Sequence, residues 1–171
     1  VKVVRVEQQV QGWTVQLADG QVLKTKLVIG ADGANSFVRD QAYIELDILD
    51  YRQAAISCAI KTTKPHQYVA RQIFLPTGPL AFLPMASLDE QENGYWQSIV
   101  WTLPDDYAEE YSDLNDAQFL QLLTRESQHM LGEVIEVRSR AKFPLKARSA
   151  QHYVKAGLAL IGDAAHVIHP L

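Results

Sequence analysis

Gly157-Leu-Ala-Leu-Ile-Gly-Asp163-Ala-Ala-His166 reads as a buried strand that ends on an acidic residue among small ones. Leu158 to Ile161 form a continuous apolar run, the pattern of a strand covered on both faces, and Gly162 permits close backbone approach where the strand ends. Asp163 then stands beyond the carboxyl end of a strand, where open α/β sheets place their ligands. Its carboxylate can accept two hydrogen bonds from the vicinal hydroxyls of a ribose, with Ala164 and Ala165 leaving room for the sugar. The same residue could instead only cap the turn after the strand.

A second segment has the same grammar. Leu27-Val-Ile-Gly30-Ala-Asp32-Gly33-Ala-Asn35-Ser36-Phe-Val-Arg39 is again an apolar run closing on Gly, Asp and Gly, followed by a helical turn. Gly30 and Gly33 permit positive φ or close approach, Asp32 can anchor the loop, and the Asn35 and Ser36 amides would open a helix whose positive end suits a phosphate. Taken together and in this order, GADGANSxVR and GLALIGDAAHxxHPL resemble the second and third fingerprint motifs of the FAD-dependent aromatic hydroxylases. Asp50-Tyr-Arg-Gln, Val69-Ala-Arg-Gln-Ile-Phe74, Leu80-Ala-Phe-Leu-Pro84, Ser98-Ile-Val-Trp101 and His166-Val-Ile-His-Pro-Leu171 bring the resemblance closer to the flavin hydroxylases of ubiquinone biosynthesis, of the octaprenylphenol hydroxylase (VisC-like) kind.

None of the nine glycines is spaced as Gly-x-Gly-x-x-Gly, the loop that cradles the FAD pyrophosphate in that family. The expectation is therefore an internal piece of a larger enzyme, inactive by itself. It divides into residues 1–41, part of an FAD-binding domain, residues 42–152, a substrate domain, and residues 153–171, a further part of the FAD-binding domain. The expected fold class is α+β: a mixed, largely antiparallel substrate-domain sheet backed by a helix, flanked by pieces of an FAD-binding Rossmann-like domain.

Composition narrows the function classes. With 47% hydrophobic and 21% charged residues the chain is ordinary globular material, and its net charge of −4 gives no electrostatic case for nucleic acid. No apolar stretch approaches the length that spans a bilayer. The one cysteine, Cys58, sits in an apolar strand-like run and reads as a plain buried thiol, so a reducing cytoplasm is the simplest compartment. His166 and His169 lie three apart without a third ligand nearby, too little for a metal site, and a turn-stabilising role suits them better.

Strand patterns dominate the middle. Val1–Val10, Trp13–Leu17 and Val22–Ile29, the last two joined by the turn Ala18-Asp-Gly-Gln21, form a small meander. Further strands are expected near Arg52–Lys61, Tyr68–Leu75, Leu80–Pro84 and Tyr95–Leu103. Asn115, with Gln118 reaching back, caps one main helix whose apolar stripe is Phe119, Leu122 and Leu123 with Met130 and Leu131 further on, and Asp105–Tyr111 adds a short acidic turn. Over Glu133–Ala147 the alternation of Ile135, Val137 and Phe143 with Glu136, Arg138 and Arg140 predicts a strand with an apolar and a charged face.

The resemblance implies roles residue by residue. Asp163 would bond the FAD ribose with Gly162 allowing the approach, Pro170 would lie against the flavin ring beside His169, and Asp32 and Gly33 would serve the pyrophosphate and the reducing NAD(P)H, with Arg39 bracing their loop. Phe74, Phe82, Leu83, Pro84 and Trp101 are the candidates for the substrate face, against the reading that they are sheet core. No general acid or base is assigned, since the protein contributes position and water exclusion. The implied activity is hydroxylation of a prenylated phenol with O2. Such a substrate would be collected by peripheral contact with the inner membrane surface or from other proteins of ubiquinone biosynthesis. Halogenases and prenyl reductases share these fingerprints, and a soluble phenol hydroxylase or a non-enzymatic binding module also stays open.

Overall fold

The computed structural model describes residues 1–87 and 92–169. The chain forms two compact units, Val1–Tyr51 with Lys146–Leu171, and Arg52–Leu145.

In the first unit, β1 (Val3–Gln9), β2 (Gly12–Leu17) and β3 (Val22–Thr25) make the expected antiparallel meander. The run Val22–Ile29, expected as one strand, breaks in two. Thr25 Oγ1 donates to Leu27 O (2.9 Å) and accepts from Leu27 N (3.3 Å), a local side-chain turn that ends β3 and redirects the chain into β4 (Val28–Gly30). There β4 pairs in parallel with β11 (Leu158–Leu160), whose other neighbour is the antiparallel β10 (Val154–Lys155). Trp13, Val28, Leu158 and Leu160 are at the centre of this unit's core, and the Trp13 indole donates to Ala156 O at 3.0 Å. The expectation of a strand covered on both faces is corrected: Leu158 and Leu160 point inward, whereas Ile29 and Ile161 are 56% and 51% exposed. Gly30 is required for packing, since a Cβ there would lie 2.8 Å from Leu160 Cδ2 and 3.0 Å from Val38 Cγ1.

The helix α1 (Phe37–Gln41) ends in a Schellman motif, with Ile44 N donating to Arg39 O and Tyr43 N to Asp40 O. Tyr43 occupies the left-handed position of that motif, at φ 53°, with 90% of its surface exposed. Glycine is preferred there, because a Cβ in the left-handed region costs about 1–2 kcal/mol. Tyr43→Gly is expected to raise stability by roughly 0.5–1 kcal/mol, the added freedom of the unfolded glycine offsetting part of the gain. Urea denaturation of the two proteins checks it, and an unchanged or lower midpoint refutes it.

The second unit is built on the long strands β5 (Leu46–Thr62) and β9 (Val134–Ala150) together with β6 (Arg71–Leu75), β7 (Gly78–Pro84) and β8 (Trp96–Pro104). Their order is β9-β5-β8-β7-β6, and the pairs β5–β8, β8–β7 and β7–β6 are antiparallel. Two helices back the sheet: the acidic turn expected at Asp105 is a full helix, α2 (Asp105–Asp113), followed by α3 (Asp116–Glu126). As expected, Asn115 and Gln118 form a reciprocal capping box at the start of α3, which buries Phe119, Leu122 and Leu123. The fold is thus α+β, a largely antiparallel sheet backed by helices. Gly78, at φ 130°, lets β7 pass Thr102, whose carbonyl oxygen would stand 2.1 Å from a Cβ.

The simple alternation expected along β9 does not hold. Ile135 and Phe143 are exposed, Val134 is buried, and Arg140 turns to the core side, where its guanidinium lies 4.7 Å from the Phe119 ring and donates to Leu114 O at 2.6 Å. Ser139, at φ 56°, is a left-handed residue within the strand and interrupts the alternation for the side chains that follow it, Arg140 first, whereas Val134 and Ile135 depart from the expected pattern before it.

Candidate functional site

The parallel pairing of β4 with β11 brings the two fingerprint segments together. Gly30 lies opposite Leu160, and Ile161 N donates to Gly30 O at 2.9 Å, so both motif loops leave the same carboxyl edge of one small sheet. Ligands of open α/β sheets bind at such an edge.

After β4, Asp32 anchors the turn into α1. Its carboxylate accepts from Ser36 Oγ at 2.5 Å and from Val38 N at 3.1 Å, while Ser36 Oγ accepts from Arg39 N at 3.0 Å as the helix N-cap. The first-turn amides of Val38 and Arg39 thus meet oxygens of the chain's own side chains. Gly33, at φ 85°, has open space where a Cβ would be, so the loop tip is a backbone surface. Arg39 is 3% exposed and its Nη1 donates to Ala34 O at 3.1 Å and to Ala164 O at 3.2 Å, tying the second-motif loop to the third.

Partial burial alone would raise the Asp32 carboxyl, but hydrogen bonds from Ser36 and from backbone N–H groups, Val38 among them, outweigh it and hold the pKa below the ordinary aspartate value. The anchor's stabilisation is therefore complete above the ordinary aspartate range and is lost as pH falls through the depressed folded-state value. Acidification below about pH 4 should release the Val38 and Arg39 amides to hydrogen exchange. In Asp32→Asn that acid-dependent step should be absent, and a step of equal size in both proteins would count against Asp32 as its source.

After β11, the chain makes one turn of 3₁₀ helix at Gly162–Ala164, closed by Ala165 N donating to Gly162 O. Gly162, at φ 57°, again faces open space, and Ala164 and Ala165 are buried. Asp163 is exposed, and among the described residues its carboxylate caps nothing and pairs with nothing. The turn-capping alternative therefore lacks the hydrogen bond it requires. His166 stacks on Tyr153 (centroids 5.7 Å, 17°), and His169 meets Tyr51 edge-on at 4.9 Å. Pro170 lies outside the described residues.

The substrate-face candidates separate by strand register. Directly opposed residues share a face. One face carries the rows Ile56–Trp101–Leu80 and Cys58–Ile99–Phe82, all buried against the helices. The other carries Ser57–Val100–Ala81 and Ala59–Ser98–Leu83, with Ser and Ala leaving it low and open. Phe82 and Trp101 are therefore corrected to core residues, at 1% and 0% exposure, and Pro84 follows the Phe82 face. Leu83 and Phe74, the latter 80% exposed, are on the open side. A cavity of about 360 Å³ adjoins Ala59 there, walled by Met85, Ala86 and Trp96, with Arg138 4.3 Å above the Trp96 ring. Burial pushes the Cys58 thiol up to about 12, so it stays protonated.

Two features escaped the sequence reading. The small-residue rows could have been found by following period two through Ala55, Ser57 and Ala59, whereas nothing local marks Arg148. That residue, on β9, donates from Nη1 to Asn35 Oδ1 at 2.9 Å and reaches Ala34 O at 3.4 Å.

This chain belongs to the FAD binding domain family, whose profile matches residues 2–171. It is 38% identical over 157 residues to the 3-demethoxyubiquinol 3-hydroxylase of Escherichia coli, covering 92% of this chain and 38% of that protein. It is also 37% identical to the ubiquinone hydroxylase UbiL of Rhodospirillum rubrum, over 97% of this chain and 37% of the relative. The chain thus spans less than half the length of these relatives. Among solved structures, PqsL, a probable FAD-dependent monooxygenase from Pseudomonas aeruginosa, superposes with a TM-score of 0.73 at 20% identity, over 99% of this chain and 47% of that one. The flavin-dependent halogenase CmlS gives 0.74 at 17%, over 99% and 32%. At such identities the two structures speak for the fold alone.

Proposed function

We propose that this chain is part of an FAD-dependent monooxygenase that hydroxylates the aromatic ring of a prenylated phenol in ubiquinone biosynthesis, with NAD(P)H as reductant. The observation that carries the reading is the meeting of both fingerprint loops at one sheet edge, where the Asp163 carboxylate has no hydrogen-bond or ion-pair partner among the described residues. The residues fit the cofactor: Asp163 would accept from the ribose hydroxyls, Gly162 and Gly33 present bare backbone, and Arg39 fixes the two loops relative to each other. Asp32 would act through the loop it anchors, and His169, with Pro170 beside it in sequence, would flank the ring system. FAD, when bound, supplies the electron transfer and oxygen activation that no side chain can.

The chain's own contribution is position and exclusion of water. Phe74 and Leu83 would contact substrate from the open face of the second unit, whose Ser and Ala rows leave room for a flat ring. A prenylated substrate is membrane-soluble, and no helix among the described residues is long and apolar enough to cross a bilayer. On this reading the enzyme takes its substrate by peripheral contact with a membrane or from partner proteins.

The test is a series of phenols with zero, one, two and three isoprene units given to the full-length enzyme with NAD(P)H and O2. Each added unit should raise kcat/KM until the apolar surface that receives the tail is covered, with about 0.8 kcal/mol per buried CH2 group as the upper bound. Equal or better kcat/KM on the tail-less phenol would make it a soluble aromatic hydroxylase, and O2-independent reduction of a prenyl chain would make it a reductase.

A further inference from the structure

We infer that Arg148 is a positioning residue for the cofactor site, acting through the backbone of the second-motif loop. The inference rests on the flavin reading above. Both Arg39 and Arg148 converge on the same acceptor, Ala34 O, at 3.1 and 3.4 Å, but they hold it to different places. Arg39 links it to Ala164 in the third motif, while Arg148 adds Asn35 Oδ1 at 2.9 Å and links the loop to β9. In turn, Arg148 pairs in register with Val167 of β12 (His166–Val167), three residues past Ala164. The second motif, the third motif and β9 therefore close into one ring of contacts, in which Arg148 is the link from β9 to the loop.

The loop needs that link. From Gly33 to Asn35 it is neither helix nor strand, Gly33 has open space around it, and Asn35 is exposed. Among the described residues no carboxylate forms an ion pair with Arg148. Its guanidinium charge is thus directed to a carbonyl and an amide oxygen, bonds that gain strength from the charge. Arginine is suited to this because one planar group serves two acceptors at fixed angles. Without it, the loop would remain attached at Arg39 and Asp32 and swing at its Asn35 side. The core of the unit would not be touched.

The experiment measures FAD dissociation by flavin fluorescence, the visible flavin spectrum and thermal unfolding of the apoprotein for the full-length enzyme and four variants. Arg148→Ala is expected to weaken FAD roughly tenfold, the loss of one charge-assisted bond, with the apoprotein melting temperature nearly unchanged. Asn35→Ala should weaken FAD in the same direction, and the double variant should be no worse than the poorer single one, since both remove the same link. Arg148→Lys, which keeps a donor for Asn35, should recover most of the affinity. Wild-type affinity in Arg148→Ala overturns the role while leaving the flavin reading intact. A large fall in melting temperature with no rescue by lysine overturns it in favour of a merely structural residue. Failure of the wild-type full-length protein to bind FAD overturns the flavin reading and this inference with it.

Discussion

Trp101→Ala should remove about 3–5 kcal/mol of stability, the range for truncating a large buried aromatic, and Phe74→Ala should remove almost none. Both are aromatic residues on strands of one sheet, β8 and β6 with β7 between them, so local sequence does not separate them. Register does: Trp101 lies opposite Ile56 and Leu80 on the face packed by α2 and α3, whereas Phe74 is 80% exposed. The Trp101 ring lies 5.1 Å from that of Tyr111 on α2, and its removal would leave a void between sheet and helix. One compensation lowers the loss, because the indole N–H is buried without a partner among the described residues and its own burial is unfavourable. Against a total stability of about 5–15 kcal/mol, that loss is a large fraction and would bring a protein at the lower end of the range to its unfolding threshold. Chemical denaturation of the two variants decides the matter. A destabilised Phe74→Ala beside an unaffected Trp101→Ala would mean that the faces are assigned the wrong way round. Phe74→Ala should instead be read in kinetics, as a raised KM for prenylated phenol.

The parts of this fold that were legible in the sequence are those set by contacts a few residues apart. Asn115 and Gln118 specify the start of α3 by bonds to each other's backbone, and Asp19 and Gly20 specify the turn of the meander, where Asp19 Oδ1 accepts from Gln21 N at 3.1 Å. The two motif loops were legible as loops for the same reason. Their meeting was implied only by the resemblance, because a parallel pair such as β4 and β11 has no turn to announce it. What stayed hidden are places where a residue takes a conformation its type disfavours. Tyr43 and Ser139 both have positive φ with a Cβ, and the second of these interrupts the alternation in the later part of β9. Alternation also fails to tell which of two faces is covered, and so Phe82 and Leu83 could be grouped although they point to opposite sides of β7. Compact-unit boundaries fall within the continuous strands β5 and β9: no glycine or proline marks the one in β5, and Pro144 beside the one in β9 does not break the strand. Arg148 is a surface-type residue in a strand, and only its long-range partner at Asn35 distinguishes it.

Asp163→Ala in the full-length enzyme is expected to weaken FAD by roughly ten- to a hundredfold, because a buried pair of ribose hydroxyls would lose its acceptor at a cost of about 1–3 kcal/mol. The structure makes this a clean substitution. Asp163 is exposed and makes no hydrogen bond within the described chain, and the turn around it is closed by backbone groups of Gly162 and Ala165. Apoprotein stability should therefore hardly change, in contrast to Asp32, whose carboxylate holds Ser36 and Val38 and whose loss would loosen α1. Asp163→Asn keeps one acceptor oxygen and should fall between wild type and Asp163→Ala. The protein would be stripped of flavin, retitrated with FAD and followed by fluorescence. A protein that regains full FAD occupancy at wild-type concentrations after Asp163→Ala would remove Asp163 from the cofactor site, and with it the observation on which the functional reading chiefly stands. A graded loss, with unfolding temperatures unchanged, would instead fix the third-motif carboxylate as a binding group rather than a structural one. The two aspartates would then divide the work, one shaping a loop and the other meeting the ligand.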